Sequence, residues 1–241
     1  MEIKRILVFI LIILALGILS VYYPDSNKSV KWAPEEVYVV KVIDGDTFKD
    51  DSGQSYRLLG VNTPEKGKNY YSEALNFLKE IEGKNVSVLR DFEDLDKYNR
   101  KLRYVFFEDR LINSEILENG FGTSFMIEGL KYSDKLRSAE KSARSKKIGL
   151  WIESSDICSD CIELVELNPE EEYFIIKNKC DSNCTLKDWV VKDDANHFFK
   201  LNDLSSYETE KYNSEIKVWN DNKDRFFMRD SAGGLVVFYE Y

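Results

Sequence analysis

VYVVKVIDGDTFKDD, residues 37–51, decides the fold. Apolar and polar residues alternate, break at Asp44-Gly45-Asp46 and resume, which reads as strand, turn, strand. SYRLLGV, residues 55–61, is a third strand. YYSEALNFLKEIEG, residues 70–83, sets Ala74, Phe77, Leu78 and Ile81 on one helical face, with Gly83 as its stop. NVSVLRDF (85–92) and LRYVFFED (102–109) are two more strands, joined by the polar loop EDLDKYNR. INSEILENGFG is a short helix closed by Gly120, and SDKLRSAEKSARSKKIGLW is a charged helix with Ser133 at its N-cap. Five short strands and three helices predict an α+β domain: a small Greek-key barrel that removes its own edges, with helices packed outside.

The pattern changes after Trp151. CIELVELNPEEEYFIIKNKC, DWVVKDD, HFFKL, DRFFMRD and GLVVFYEY are short alternating segments separated by Asp, Asn and Gly, which predicts an all-β sandwich. Charge divides at the same place. Between Pro24 and Ile152 there are 22 basic and 22 acidic residues, whereas Glu153–Tyr241 has 10 basic and 20 acidic. The asymmetry supports two domains, expected at 36–152 and 158–241. The acidic second half is a poor grip for a polyanion, because phosphate contacts need cations.

At the N-terminus, Lys4 and Arg5 precede a charge-free apolar run from Ile6 to Tyr23. That length suits a membrane span better than a signal-peptide core, so residues 1–23 are expected to be an uncleaved transmembrane helix. The alternative is a cleaved signal and a secreted protein. The basic flank keeps the N-terminus inside, which places the rest outside the cell. Residues 24–35 read as a tether. Cys158, Cys161, Cys180 and Cys184, spaced C-x2-C and C-x3-C, are disulfide or zinc candidates. An extracellular setting and the irregular second spacing favour disulfides.

The first half carries the parts that phosphodiester hydrolysis needs. A hard cation wants carboxylate and carbonyl oxygens. An attacking water wants a base in hydrogen-bond reach. The charge gathering on phosphorus wants arginine. IDGDT supplies Asp44 and Asp46, RLLGVNTPE (57–65) supplies Arg57 and Glu65, and DKYNR supplies Asp96 and Arg100. Each piece alone reads as a turn, a helix start or a solvated charge; their joint order carries the inference. The single histidine, His197, excludes His-dependent triads as the main mechanism.

VIDGDTF, YRLLGVNTPE, DKYNR and KSARSKKIGLW resemble the staphylococcal nuclease family, over about residues 36–151. The resemblance implies a five-stranded OB-fold barrel with three helices and a calcium-dependent endonuclease. It would cut DNA and RNA with little sequence preference and leave 3′-phosphate ends. It implies Asp46 and the Thr63 carbonyl as calcium ligands, Glu65 as general base, and Arg57 and Arg100 as phosphate and transition-state stabilisers. Tyr98, with Lys97 beside it, would contact substrate, and Asp44 would be structural. The family's second acidic ligand is replaced by Asn62, an amide that coordinates without net charge. Weaker calcium binding is therefore expected; the rival reading is a retired site kept as a binding module. EEYFIIKNKC, LKDWVVKDDANHFFKL and VWNDNKDRFFMRDSAGGLVVFYEY resemble a lamin-tail domain, an immunoglobulin-like sandwich. That implies a binding or spacing role for a partner the sequence does not identify, with Trp189 and Trp219 in the core. A monomer is expected.

Overall fold

Alternation in 37–58 becomes three strands because each places one face on a shared core: β1 (Glu35–Val42), β2 (Thr47–Asp50) and β3 (Ser55–Leu58). The computed structural model describes residues 33–241; the expected membrane segment, and the tether as far as residue 32, lie outside them. Among the described residues no helix is long and apolar enough to cross a membrane. The chain continues through β4 (Val61–Asn62), α1 (Tyr71–Leu78), β5 (Asn85–Leu89), β6 (Lys101–Phe107), β7 (Arg110–Leu111), α2 (Ile112–Glu118), β8 (Thr123–Ser124) and α3 (Ser133–Lys146).

The strands close into a barrel. β1 pairs with β5 through its first half and with β2 through its second, the two halves separated by a register shift between Val39 and Lys41. β2 pairs with β3, and β5 with β6, all antiparallel. The seam is parallel: Tyr56, Arg57 and Leu58 of β3 lie opposite Lys101, Leu102 and Arg103 of β6. Val39, Phe48, Leu58, Val88 and Val105 fill the interior. On α1, Ala74, Leu78 and, one turn on, Ile81 are buried as the periodicity requires, while Phe77 is partly buried against Phe121. Asn113 on α2 is fully buried and satisfied: its Nδ2 donates to the Leu59 and Arg103 carbonyls at 2.9 and 3.1 Å, and its Oδ1 accepts from Val105 N–H at 2.8 Å. Helix α3 begins at Ser133 rather than being capped by it, and it ends at Lys146, before the expected Trp151. Lys147 takes a left-handed conformation that stops the helix, and Gly149–Trp151 form a separate 3-10 turn.

The second half is all β. β9 (Ile162–Asn168), β10 (Tyr173–Asn178) and β13 (Thr209–Asn213) form one antiparallel sheet. β12 (Phe198–Lys200), β11 (Val190–Lys192), β14 (Arg225–Arg229) and β15 (Leu235–Glu240) form the other. They share a core of Phe174, Ile176, Val191, Trp189, Trp219 and Phe226. Strand β13 has no apolar alternation to betray it; it is a polar edge strand with no buried residue. Cys158 is bonded to Cys184 and Cys161 to Cys180, so among the described residues no thiol is left to ligate zinc.

Barrel and sandwich belong to one compact unit, Pro34–Tyr241. Trp151 packs between Ala143 of α3 and Phe227 of β14. Beside them, the buried Arg225 gives Nη1 to both oxygens of Glu140 on α3, at 2.8 and 2.9 Å, and Nε to both oxygens of Asp194, at 2.7 and 2.8 Å. Its Nη2 donates to the Ser124 carbonyl on β8. Glu140 in turn accepts from Ser124 N–H and Oγ at 2.8 and 2.7 Å.

Candidate active site

The turn after β1 brings its backbone close to the loop after β4. A Cβ on Gly45 would stand 2.5 Å from Ala74 Cβ and 2.8 Å from Thr63 Oγ1, so only glycine fits. This packing sets Asp46 under Thr63. Asp46 is buried and fully engaged: Oδ2 accepts from Thr63 N–H and Oγ1, both at 3.0 Å, and Oδ1 accepts from Thr47 Oγ1 at 3.0 Å. Arg57, one strand over on β3, makes an ion pair with Asp46 through Nη1. Its Nη2 reaches the Val61 carbonyl at 3.2 Å and Asn62 Oδ1 at 3.3 Å. The guanidinium is thus oriented from the barrel side by three acceptors.

Arg100 arrives from the loop before β6. Asp96 Oδ1 accepts from the backbone N–H groups of Tyr98 and Arg100 at 2.8 and 3.0 Å, which folds the loop back on itself. Its Oδ2 then holds Arg100 Nε at 2.6 Å, and Arg100 Nη1 touches Thr47 Oγ1 at 3.3 Å. These contacts hold the Asp96 carboxyl below the usual range against the opposing effect of burial. The Tyr98 ring is exposed, with Lys97 Nζ 5.1 Å and the Arg100 guanidinium 5.3 Å from its centre.

A cleft of about 190 Å³ gathers Asp46, Arg57, Thr63, Glu65, Tyr98 and Arg100. Lys97 and Asn62 lie outside its lining. Asp44, read from sequence as structural, does line it. Burial, reinforced by the Asp46 carboxylate, pushes the Asp44 carboxyl up to about 6. Glu65 is exposed, and its carboxylate makes no hydrogen bond or ion pair among the described residues. It is therefore free to take a proton from water.

Asn62 has a role that the sequence did not disclose. Its Nδ2 donates to the Asp194 carbonyl in the sandwich at 3.2 Å. That bond fixes which way the amide faces, and turns Oδ1 toward Arg57. An aspartate here would oppose a carboxylate to that carbonyl. Thr47 and Asp194 are likewise parts of the site's framework found only in three dimensions, and Asp96, which the sequence offered beside Arg100, is its anchor.

Among the described residues no group of three or more His, Cys, Asp or Glu comes together to hold a metal. The hard oxygen donors that line the cleft are the Asp44 and Asp46 carboxylates, while the Asn62 amide oxygen faces Arg57. Two adjacent carboxylates suit a hard cation such as calcium better than a softer metal, and Asp46 would exchange one of its present partners for the ion.

The sequence profile described as Staphylococcal nuclease homologue matches residues 55–153. Among curated proteins, Thermonuclease of Staphylococcus hyicus is 30% identical over 159 residues, covering 59% of this chain and 94% of the relative. Thermonuclease of Staphylococcus intermedius is 33% identical over 139 residues, covering 53% and 83%. Protein ParB of Escherichia coli is 28% identical over 135 residues, covering 51% and 76%.

Proposed function

Since the chain belongs to the staphylococcal nuclease family, we propose that it is a calcium-dependent nuclease that hydrolyses phosphodiester bonds of DNA and RNA with little sequence preference, leaving 3′-phosphate ends. The observation that carries this reading is one cleft holding an unengaged carboxylate, Glu65, together with two guanidinium groups, Arg57 and Arg100. Glu65 takes the proton of the attacking water. Arg57 and Arg100, each anchored by its own aspartate, meet the negative charge that accumulates on the phosphoryl oxygens without having to reorganise. Asp46, Asn62 and the Thr63 carbonyl would hold calcium, with Asp44 beside them. The ion, when bound, supplies positive charge against the phosphate. With Asn62 neutral, saturation belongs in the range of extracellular calcium sites, on the order of 10⁻⁴–10⁻³ M.

The reading also places the enzyme outside the cell, anchored by residues 1–23 or secreted. The two disulfides support an oxidising compartment. The second half is proposed to be a lamin-tail module, and the protein a monomer.

Cleavage of plasmid and single-stranded DNA by residues 24–241 tests the proposal, with calcium, magnesium or EDTA present. Calcium-dependent cleavage that saturates in the millimolar range and disappears in Glu65→Gln supports it. Folded protein that cleaves nothing at any calcium level identifies a retired site and a nucleic-acid- or protein-binding module instead.

A further inference from the structure

A second cleft, of about 240 Å³, lies on the other side of the Thr63–Glu65 segment. Thr63, Pro64 and Glu65 line both clefts, so they are the wall between them. Unlike the first cleft, this one is built from both halves of the chain. The barrel contributes Asn62, Lys68 and Asn69, and the sandwich contributes Lys192, Phe198 and Arg229.

Its cations are unusual for this protein. Arg229 is buried, and it is the one arginine among the described residues with no carboxylate at ion-pair distance. Its Nη1 is occupied only by the Leu150 and Gly233 carbonyls. Lys192 also lacks an ion pair; its Nζ donates to Asn196 Oδ1 at 2.8 Å and lies 5.0 Å from the Phe227 ring centre. Lys68 Nζ sits 4.5 Å over the Phe198 ring, again with no carboxylate partner. Burial pushes Lys192 down to about 8 and Arg229 down to about 10, so both remain charged at neutral pH. Lys192 and Arg229 feel Asp193, Asp194 and Asp230 but have no carboxylate at ion-pair distance, and desolvating them so costs free energy that a bound anion would recover. Three carboxylates also line the cleft. Asp230 is occupied by Ser154 Oγ and the Gly234 N–H, Asp188 is exposed, and Glu65 is the shared wall.

We propose that this cleft is a subsite for the nucleic-acid strand beyond the cleaved bond, in which Lys68, Lys192 and Arg229 hold a backbone phosphate. The inference rests on the nuclease reading for the identity of the anion. It makes the sandwich part of the substrate channel. A strand crossing Glu65 passes directly from one cleft to the other, and longer strands gain a contact that a dinucleotide cannot reach.

The test uses Lys68→Met and Lys192→Met, singly and together, in residues 24–241. Both keep the aliphatic stem and neither breaks an ion pair. Two quantities are read: the ratio of kcat/KM for a single-stranded dodecanucleotide to that for a dinucleotide, and the Kd of the labelled dodecanucleotide by fluorescence anisotropy across a salt series. Each lost phosphate contact should lower affinity roughly fourfold near physiological salt and reduce the salt slope by about 0.7. The double variant should therefore bind about sixteenfold more weakly, and its length preference should fall in step. An unchanged Kd and slope, or equal losses for both substrate lengths, overturns the subsite. If the protein cleaves nothing, the nuclease reading fails, and anisotropy still decides the cleft on its own.

Discussion

Arg225→Met should be the most destabilising single change at the junction of barrel and sandwich. The guanidinium serves two carboxylates at once, Glu140 on the barrel side and Asp194 on the sandwich side. Their fates differ once it is gone. The Asp194 side chain is 22% exposed and can rehydrate, whereas that of Glu140 is 9% exposed and keeps only the two bonds from Ser124. Removing one partner of a buried pair costs about 3–5 kcal/mol, mostly as the penalty of the stranded charge. For a chain of this size that corresponds to a fall in Tm of about 6–20 °C. Far-UV circular dichroism and calorimetry at neutral pH would measure it. The wild type should melt in one transition and the variant in two, as barrel and sandwich lose their link. Adding Glu140→Leu removes the stranded charge, so the double variant should recover part of the loss, with a coupling of about 0.5–3 kcal/mol. A loss under about 1 kcal/mol with a single transition retained would refute the reasoning, showing that the network is hydrated and that the other contacts, Trp151 and the Asn62–Asp194 bond among them, hold the junction.

Glu65→Gln should lower kcat by about 10²–10⁴-fold, the usual worth of a general base, with little change in Tm, because the carboxylate has no partner to lose. Asn62→Asp should shift the calcium titration of cleavage to lower concentration. It should also cost about 1 kcal/mol of stability without calcium through the lost bond to Asp194, and the two readouts moving together in the same direction would contradict the assignment. Gly45→Ala should displace Thr63 from Asp46, so activity should collapse even if the barrel remains folded by circular dichroism. Reduction by dithiothreitol should cost about 3–4 kcal/mol for each disulfide, given sequence separations of 26 and 19 residues, and a melt insensitive to reductant would count against the pairing.

The sequence made local chemistry legible and left long-range chemistry hidden. Strands with a buried face announced themselves by alternation, as in Val37–Val42 and Tyr173–Asn178. Strand β13 did not, because Thr209–Asn213 lies at a sheet edge where nothing requires alternation. Arg57 and Glu65 share one short motif and Arg100 stands in another 35 residues on, and the structure brings all three into one cleft. Asp44 has two places at once: its Oδ1 accepts the Asp46 N–H at 3.0 Å, as its position in a turn implies, and it also lines the cleft, which one dimension does not show. The partnership of Arg225 with Glu140, 85 residues apart, left no local signal. Nor could Asn62 be understood from the chain alone, since its amide is oriented by a carbonyl 132 residues away.

The parallel seam of the barrel has a kinetic consequence. Tyr56–Leu58 meet Lys101–Arg103 only after the whole intervening segment has been brought around, and closing so long a loop is slow relative to forming the neighbouring hairpins. Arg57 lies on one lip of that seam, and Arg100 immediately precedes the other. The two arginines of the cleft should therefore be brought together by the last closure and separated by the first opening. Refolding should recover native sheet content before it recovers activity, and mild denaturant should silence the enzyme before the barrel melts. The chain would thus be inert as a nuclease until its fold is complete.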